Sequence, residues 1–331
     1  VDSLLQRCPG REERFLAPFF AYYRHPDQLE DDVAFQLLDT AAGLPLPALT
    51  RSRQELLLRF AQGLCQREDI TVRAGSMLLV DRLHRLDPGS RRPLRILQRI
   101  DCRGSASLEL LRCRIMEGGV PEPLPEQIIS DIFLDNLKTA TPWIVKVAGV
   151  ELLRDQVEHG LDTHTLHIAA HFSNLVKVSE RVVVRHTAGA ALVRTLSLLR
   201  RDQRNEVVVE LGKGLEMGQY EISKYIPQYL GQAALYLHPS ELDEQVLWLR
   251  GLLASPSDSA VSGALNTIGV LLENYPAYLE RFPQPYSAFE HRRQELLGLL
   301  LQGLAHYREA VRQEALLVIG KLLFESRELS L

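Results

Sequence analysis

Cysteine, tryptophan and methionine are scarce in this chain: its 331 residues include 4, 2 and 3 of them, and aromatic residues together make up 7%. The cysteines, Cys8, Cys65, Cys102 and Cys113, show no C-x-x-C spacing. That excludes the common zinc and dithiol motifs and points to free thiols in a reducing compartment, so a cytoplasmic location is expected. No apolar run approaches the roughly 18 residues of a membrane span, and no basic start followed by an apolar stretch marks a signal peptide. A large charge of one sign is also lacking: the formal net charge is −4, which argues against wholesale polyanion binding, so nucleic acid is not an expected partner.

Signatures of catalysis are missing in the same way. His164, His167 and His171 fall at i, i+3 and i+7 of one expected helix, where three imidazoles could share a metal, but zinc-protease helices need a glutamate beside the first histidine and none is present. No His-Asp dipeptide occurs anywhere. Gly212-Lys213-Gly214 lacks both the strand and the spacing of a phosphate loop. The sequence therefore offers no catalytic, cofactor-binding or metal-binding residues.

What the chain does have is leucine and alanine, within a hydrophobic fraction of 46%, and a repeat. The stretch that begins Val184-Arg185 and carries Ala188 and Leu192-Val193 has relatives at Val72-Arg73, Val145-Lys146, Ile222-Ser223, Ala260-Val261 and Val311-Arg312. Their starts are separated by 73, 39, 38, 38 and 51 residues, a unit of 38 with one degenerate copy near Leu108 and one insertion. Apolar groups at offsets 0, 4 and 8 share one helical face, and small residues between them let a neighbouring helix approach. A period in this range marks a stack of helix pairs in which each pair buries its faces against its neighbours.

Breakers place the pairs. They are expected at 53–66 with 70–86, 91–100 with 105–117, 125–138 with 142–159, 164–176 with 180–199, 202–216 with 219–237, 239–254 with 258–274, and 288–305 with 309–325. Residues 1–50 make an atypical first pair, whose Phe15, Phe19, Phe20, Tyr22 and Tyr23 either pack on the next pair or form an exposed docking patch. Residues 51–331 make the array, with a bend near 118–125 and a structured loop at 275–287 that carries Pro276, Pro283 and Pro285. The chain opens without methionine and stops just after a repeat helix, so a fragment of a larger polypeptide is expected.

The pattern valine-arginine, then alanine, then leucine or isoleucine with glycine resembles the second helix of a HEAT repeat over about residues 50–325. It is strongest at 311–323 and 260–272 and poorest at Ile222, where Pro227 falls inside the expected helix. In that family an aspartate before the helix commonly pairs with the repeat arginine, and Asp69 with Arg73 fits. The resemblance implies an all-α fold, a right-handed α-solenoid (α-α superhelix) of about eight helix pairs. It also implies a non-catalytic scaffold whose partner is a protein or an attached domain. Arg73, Lys146, Arg185, Lys224 and Arg312 are the candidate contact residues on the concave face.

Two other readings follow from resemblance. The general character of 178–253 resembles helical middle regions of large bacterial proteins with nucleotidyltransferase or phosphohydrolase domains, which would make the chain a regulatory or spacer arm. HEAT-like alkylpurine DNA glycosylases place tryptophans in a basic groove, and Trp143 and Trp248 are the residues to compare. Arginine greatly outnumbers lysine, with clusters at Arg91, Arg92, Arg95, Arg99 and Arg103 and at Arg200, Arg201 and Arg204 that suit an acidic partner, nucleic acid or solvent.

Overall fold

A computed structural model describes residues 12–102, 105–117, 124–138, 141–158, 164–217 and 224–325. The fold is all-α: 82% of residues are helical, and the described residues contain no strand. Contacts divide the chain into two compact units, Val1–Leu152 and Leu153–Leu331, and the division falls inside a helix. Residues 118–123 of the expected bend, Cys8 and Arg103 lie outside the described residues.

The first unit contains α1 (Glu12–Ala21), α2 (Asp31–Gly43), α3 (Arg51–Leu64), α4 (Ile70–Leu86), α5 (Arg91–Arg99), α6 (Ala106–Glu117), α7 (Glu126–Leu137) and the first part of α8 (Trp143–Glu158). Its longest helix, α4, starts where Asp69 accepts a hydrogen bond from the Val72 N–H at 2.9 Å, an N-cap that satisfies one of the donors a helix leaves open. The helix then packs on α2, α3 and α5. Of the N-terminal aromatics, Phe20 and Tyr23 are buried and Tyr22 is exposed; the side chain of Phe15 lies outside the described residues. Tyr23 meets Phe60 edge-on at 4.8 Å and donates to the Leu37 carbonyl at 2.9 Å, so this end of the aromatic run is core.

The second unit contains α9 (Thr165–Val178), α10 (Val182–Leu196), α11 (Arg201–Gly212), a 3₁₀ turn (Lys213–Met217), α12 (Ile226–Ala234), α13 (Pro239–Leu252), α14 (Asp258–Arg281), α15 (Tyr286–Leu304) and α16 (Glu309–Glu325). Contacts join α9 to α10, α11 to α12, α13 to α14 and α15 to α16. They also join α10 to α12, α12 to α14 and α14 to α16, so each second helix packs on the next second helix. The repeat positions explain this. Val184, Ala260 and Val311 are buried together with Ala188, Ala264 and Ala315, as are Val72, Val145 and Ala148 in the first unit.

Glycines set how closely these helices approach. A Cβ added to Gly189 would lie 2.5 Å from three ring carbons of Tyr229 on α12, one added to Gly231 would lie 2.7 Å from Val270 on α14, and one added to Gly269 would lie 2.5 Å from Val318 on α16. Each second helix thus inserts a side chain into a gap that the preceding helix leaves by having no Cβ. Gly212 and Gly214 have the same use, receiving Trp248 and Ile226. The Gly-Lys-Gly run is therefore a packing feature.

Two departures from the expected elements have a common cause in tertiary burial and proline geometry. The helix expected from 219 starts at Ile226, which places Pro227 in its first turn, where a missing N–H and a fixed φ are tolerated; residues 218–223 lie outside the described residues. The loop expected from 275 is instead the continuation of α14, which runs through Pro276 to Arg281. An interior proline weakens a helix by about 3 kcal/mol, but here Tyr275 and Tyr278 are buried on either side of it. Tyr275 stacks on Phe289 at 5.2 Å, and Arg281 donates to the Leu235 carbonyl at 3.0 Å.

Candidate interaction surface

The repeat arginine has a local role that its position dictates. It sits one residue after the leading valine, at the start of a second helix, beside the turn that joins the two helices of its pair. Arg312 donates from Nη1 to the carbonyls of His306 and Tyr307 at 2.8 and 2.9 Å. Arg185 donates from Nε to the Ser179 carbonyl. Arg73 reaches the Glu68 carbonyl at 3.2 Å and the Asp101 carbonyl, while Asp69 serves as the N-cap rather than as its ion-pair partner. The last carbonyls of a helix have no partner within it, and a planar guanidinium with several donors suits them better than an ammonium.

The five expected contact residues differ in exposure. Arg185 is only 4% exposed, so its charge belongs to the interior. Arg73 and Arg312 are half-buried with their guanidinium groups engaged on turn carbonyls. Lys146 is half-buried, and Lys224 is exposed.

Other arginines bond to turn carbonyls in the same way, Arg67 and Arg308 in the preceding pair and Arg204 at the end of its own. Arg67 donates to the carbonyls of Pro26 and Leu29 at 3.0 and 2.9 Å, Arg204 to Tyr236 at 3.1 Å, and Arg308 to Ser255 and Pro256 at 2.7 and 2.6 Å. Of the two arginine clusters, Arg92 pairs with Glu55 and Arg201 with Glu241 at 2.5 Å; Arg91, Arg95 and Arg99 are exposed.

Two of the five expected residues do come together, around Tyr225. The Arg185 guanidinium lies 5.0 Å from the centre of this ring and the Lys224 ammonium 5.3 Å, both within cation–π range. The His186 ring meets it edge-on at 5.7 Å. His186 Nδ1 is 2.5 Å from the Tyr229 hydroxyl, which also donates to the His186 carbonyl at 3.3 Å and whose pKa burial raises above its usual value. Lys224 and His186 are exposed and Tyr225 is half-buried, so a cationic and aromatic patch opens to solvent between α10 and α12. Such a patch can take a carboxylate and an apolar group of a partner side by side. Tyr225 lies in the copy at 222, the least regular of the repeats, and His186 meets it only across two helices 39 residues apart in sequence.

The remaining chemistry-bearing residues are placed for packing. Trp143 meets Phe35 edge-on at 5.8 Å, and Trp248 covers Gly212 while donating from Nε1 to Glu216 at 3.1 Å. Cys65 and Cys102 are buried thiols, and burial pushes Cys102 up to about 11. Among the described residues no three metal-ligating side chains converge. His164 precedes α9 as its N-cap residue, His167 is exposed and His171 is buried.

Burial lowers the His171 pKa to about 4, below the ordinary histidine value, so the native state keeps this imidazole neutral while the unfolded chain protonates it. The unfolded state then binds more protons, and stability is lost as pH falls from the ordinary value towards 4. Urea unfolding should show a loss of about 2 kcal/mol between pH 6.5 and pH 5. His171→Gln should remove most of that slope; an unchanged slope would show that other groups set it.

No helix among the described residues is long and apolar enough to cross a membrane. The sequence matches no protein-family profile and no curated protein. Among solved structures the chain is similar to the crystal structure of an engineered protein, at 14% identity over 92% of this chain and 78% of that one, with a TM-score of 0.33, a likeness too slight to bear on fold or function.

Proposed function

We propose that the chain is a cytoplasmic, non-catalytic scaffold: a right-handed α-solenoid of HEAT-like helix pairs that binds a partner protein through its second helices. The observation that carries this reading is the unbroken succession α10, α12, α14, α16, in which each helix enters the glycine gap of the one before. Stacking of this kind builds an extended surface from equivalent positions of successive repeats. The Tyr225 patch is the part of that surface with the chemistry of recognition, since aromatic and cationic groups dominate protein interfaces. An acidic segment with an adjacent apolar side chain is the partner chemistry it suits.

The test is a photo-cross-linker in place of Gln228, an exposed residue one helical turn from Tyr225. The expected result is a discrete protein adduct in cells, lost when Lys224→Glu and His186→Asp are combined while the helical circular dichroism is retained. An adduct indifferent to both changes, an adduct removed by nuclease, or no adduct would each overturn the reading.

A further inference from the structure

Arginines of the first unit gather around one cavity without matching carboxylates. The cavity, about 350 Å³ in volume, opens where the end of α1 meets the start of α3. Ala17, Phe20 and Leu56 give it an apolar side, and Arg24, Arg53, Arg59 and Ser52 a polar one; Glu55 is the single carboxylate in the lining. That carboxylate is already engaged. Arg59 donates from Nε to its Oε1 at 3.0 Å, and Arg92 of α5 reaches the same oxygen. Arg24 and Ser52, by contrast, form no hydrogen bond or ion pair among the described residues.

The start of α3 adds to this positive charge. Its N-cap, Thr50, makes no side-chain bond to the first turn, and that turn contains no acidic residue. Ser52 is the second helical residue, so its N–H has no partner within the helix, and the helix end bears a partial positive charge of its own. The Arg53 guanidinium lies 5.0 Å from the centre of the Phe20 ring, which orients it at the cavity. Apolar walls lower the local dielectric and strengthen the pull on an anion. Three lining arginines against one carboxylate leave a surplus of two positive charges, which matches the roughly −1.5 to −2 of a phosphate monoester at neutral pH.

We infer that this cavity binds a phosphate monoester, whose oxygens accept from Arg24, Arg53 and Ser52 while its organic group lies against Ala17 and Leu56. Planar guanidinium donors match paired phosphate oxygens, and an open helix N-terminus supplies backbone donors to the same group. The cavity has the volume of roughly a dozen water molecules, which leaves room for a small organic group beside the phosphate. A face of solvated arginines would have neither the concavity nor the apolar wall. The inference is independent of the scaffold reading, because the Tyr225 patch belongs to the second unit and the cavity to the first.

The probes are phenyl phosphate, inorganic phosphate and vesicles containing phosphatidic acid, which carries a phosphate monoester on a lipid. Calorimetry on the intact chain at about 0.15 M salt should show one saturable site for phenyl phosphate, bound more tightly than inorganic phosphate. Arg24→Ala should weaken it about tenfold or more, the scale of a hydrogen bond to a charged group. Arg24 is exposed, so its loss should leave the fold and the helical circular dichroism as they are. Arg51→Ala removes an exposed arginine of α3 from outside the cavity and should change nothing, whereas Ser52→Asp, which adds a negative charge inside it, should abolish binding. Binding of phenyl phosphate without the vesicles identifies a soluble ligand, and binding of both a lipid headgroup; each supports the inference when Arg24→Ala weakens it. No saturable binding, or equal loss in Arg24→Ala and Arg51→Ala, overturns it.

Discussion

Replacing Tyr278 with alanine should destabilise the protein by roughly 3–5 kcal/mol, as removal of a fully buried aromatic ring commonly does. The ring is 0% exposed, stacks on Tyr275 at 5.5 Å and packs on Phe282 at 5.1 Å; its hydroxyl donates to the Leu237 carbonyl at 3.3 Å. It also keeps α14 helical beyond Pro276, where the backbone by itself favours a stop. The expected result in urea is a large fall in midpoint, with rapid amide exchange over 277–282 before any other part of the second unit. Tyr278→Phe keeps the ring and loses one long hydrogen bond, so about 1 kcal/mol is expected. Near-equal effects of the two changes would mean that the hydroxyl, rather than the packing, holds this segment.

Adding one methyl group should have opposite effects at two glycines in the repeat array. Gly189→Ala places a Cβ 2.5 Å from the Tyr229 ring, so the ring or the helix must shift, and overpacking of this kind should cost about 3 kcal/mol. The displaced ring also carries the hydroxyl that meets His186, so the Tyr225 patch should loosen. Gly320→Ala meets nothing among the described residues and removes a helix-interior glycine, so a gain of about 0.5–1 kcal/mol is expected. Because helix pairs couple mainly to their neighbours, hydrogen exchange in Gly189→Ala should quicken in α10 and α12 first, with α16 still protected. Uniform loss of protection through the second unit would mean one indivisible core and would end the solenoid reading.

The arginines show how far sequence reasoning reaches. Their abundance was legible, and so was the valine-arginine repeat, but a guanidinium on a helix reads equally well as a docking group or as a solvated one. Arg185, Arg312, Arg67 and Arg308 are instead bonded to backbone carbonyls of turns, two in their own pair and two in the pair before. The acceptors are main-chain atoms and carry no residue signature, so no spacing in the sequence announces them. The same limit hid the Tyr225 patch, whose members come from two helices 39 residues apart at His186 and Tyr225.

By itself the sequence determined the helical class, the register of the pairs and the buried positions at Val184, Ala188, Val311 and Ala315, because a 3.6-residue period acts locally and repeats every 38 residues. Tertiary structure alone decided where the prolines could be overridden, which arginines are interior and which glycines are filled. Pro276 lies inside a helix because Tyr275 and Tyr278 are buried around it, whereas Pro227 starts one. Gly269 and Gly320 share one register in the sequence and differ only in that Val318 covers the first. That difference depends on which helix comes next in space, a quantity that no local pattern encodes.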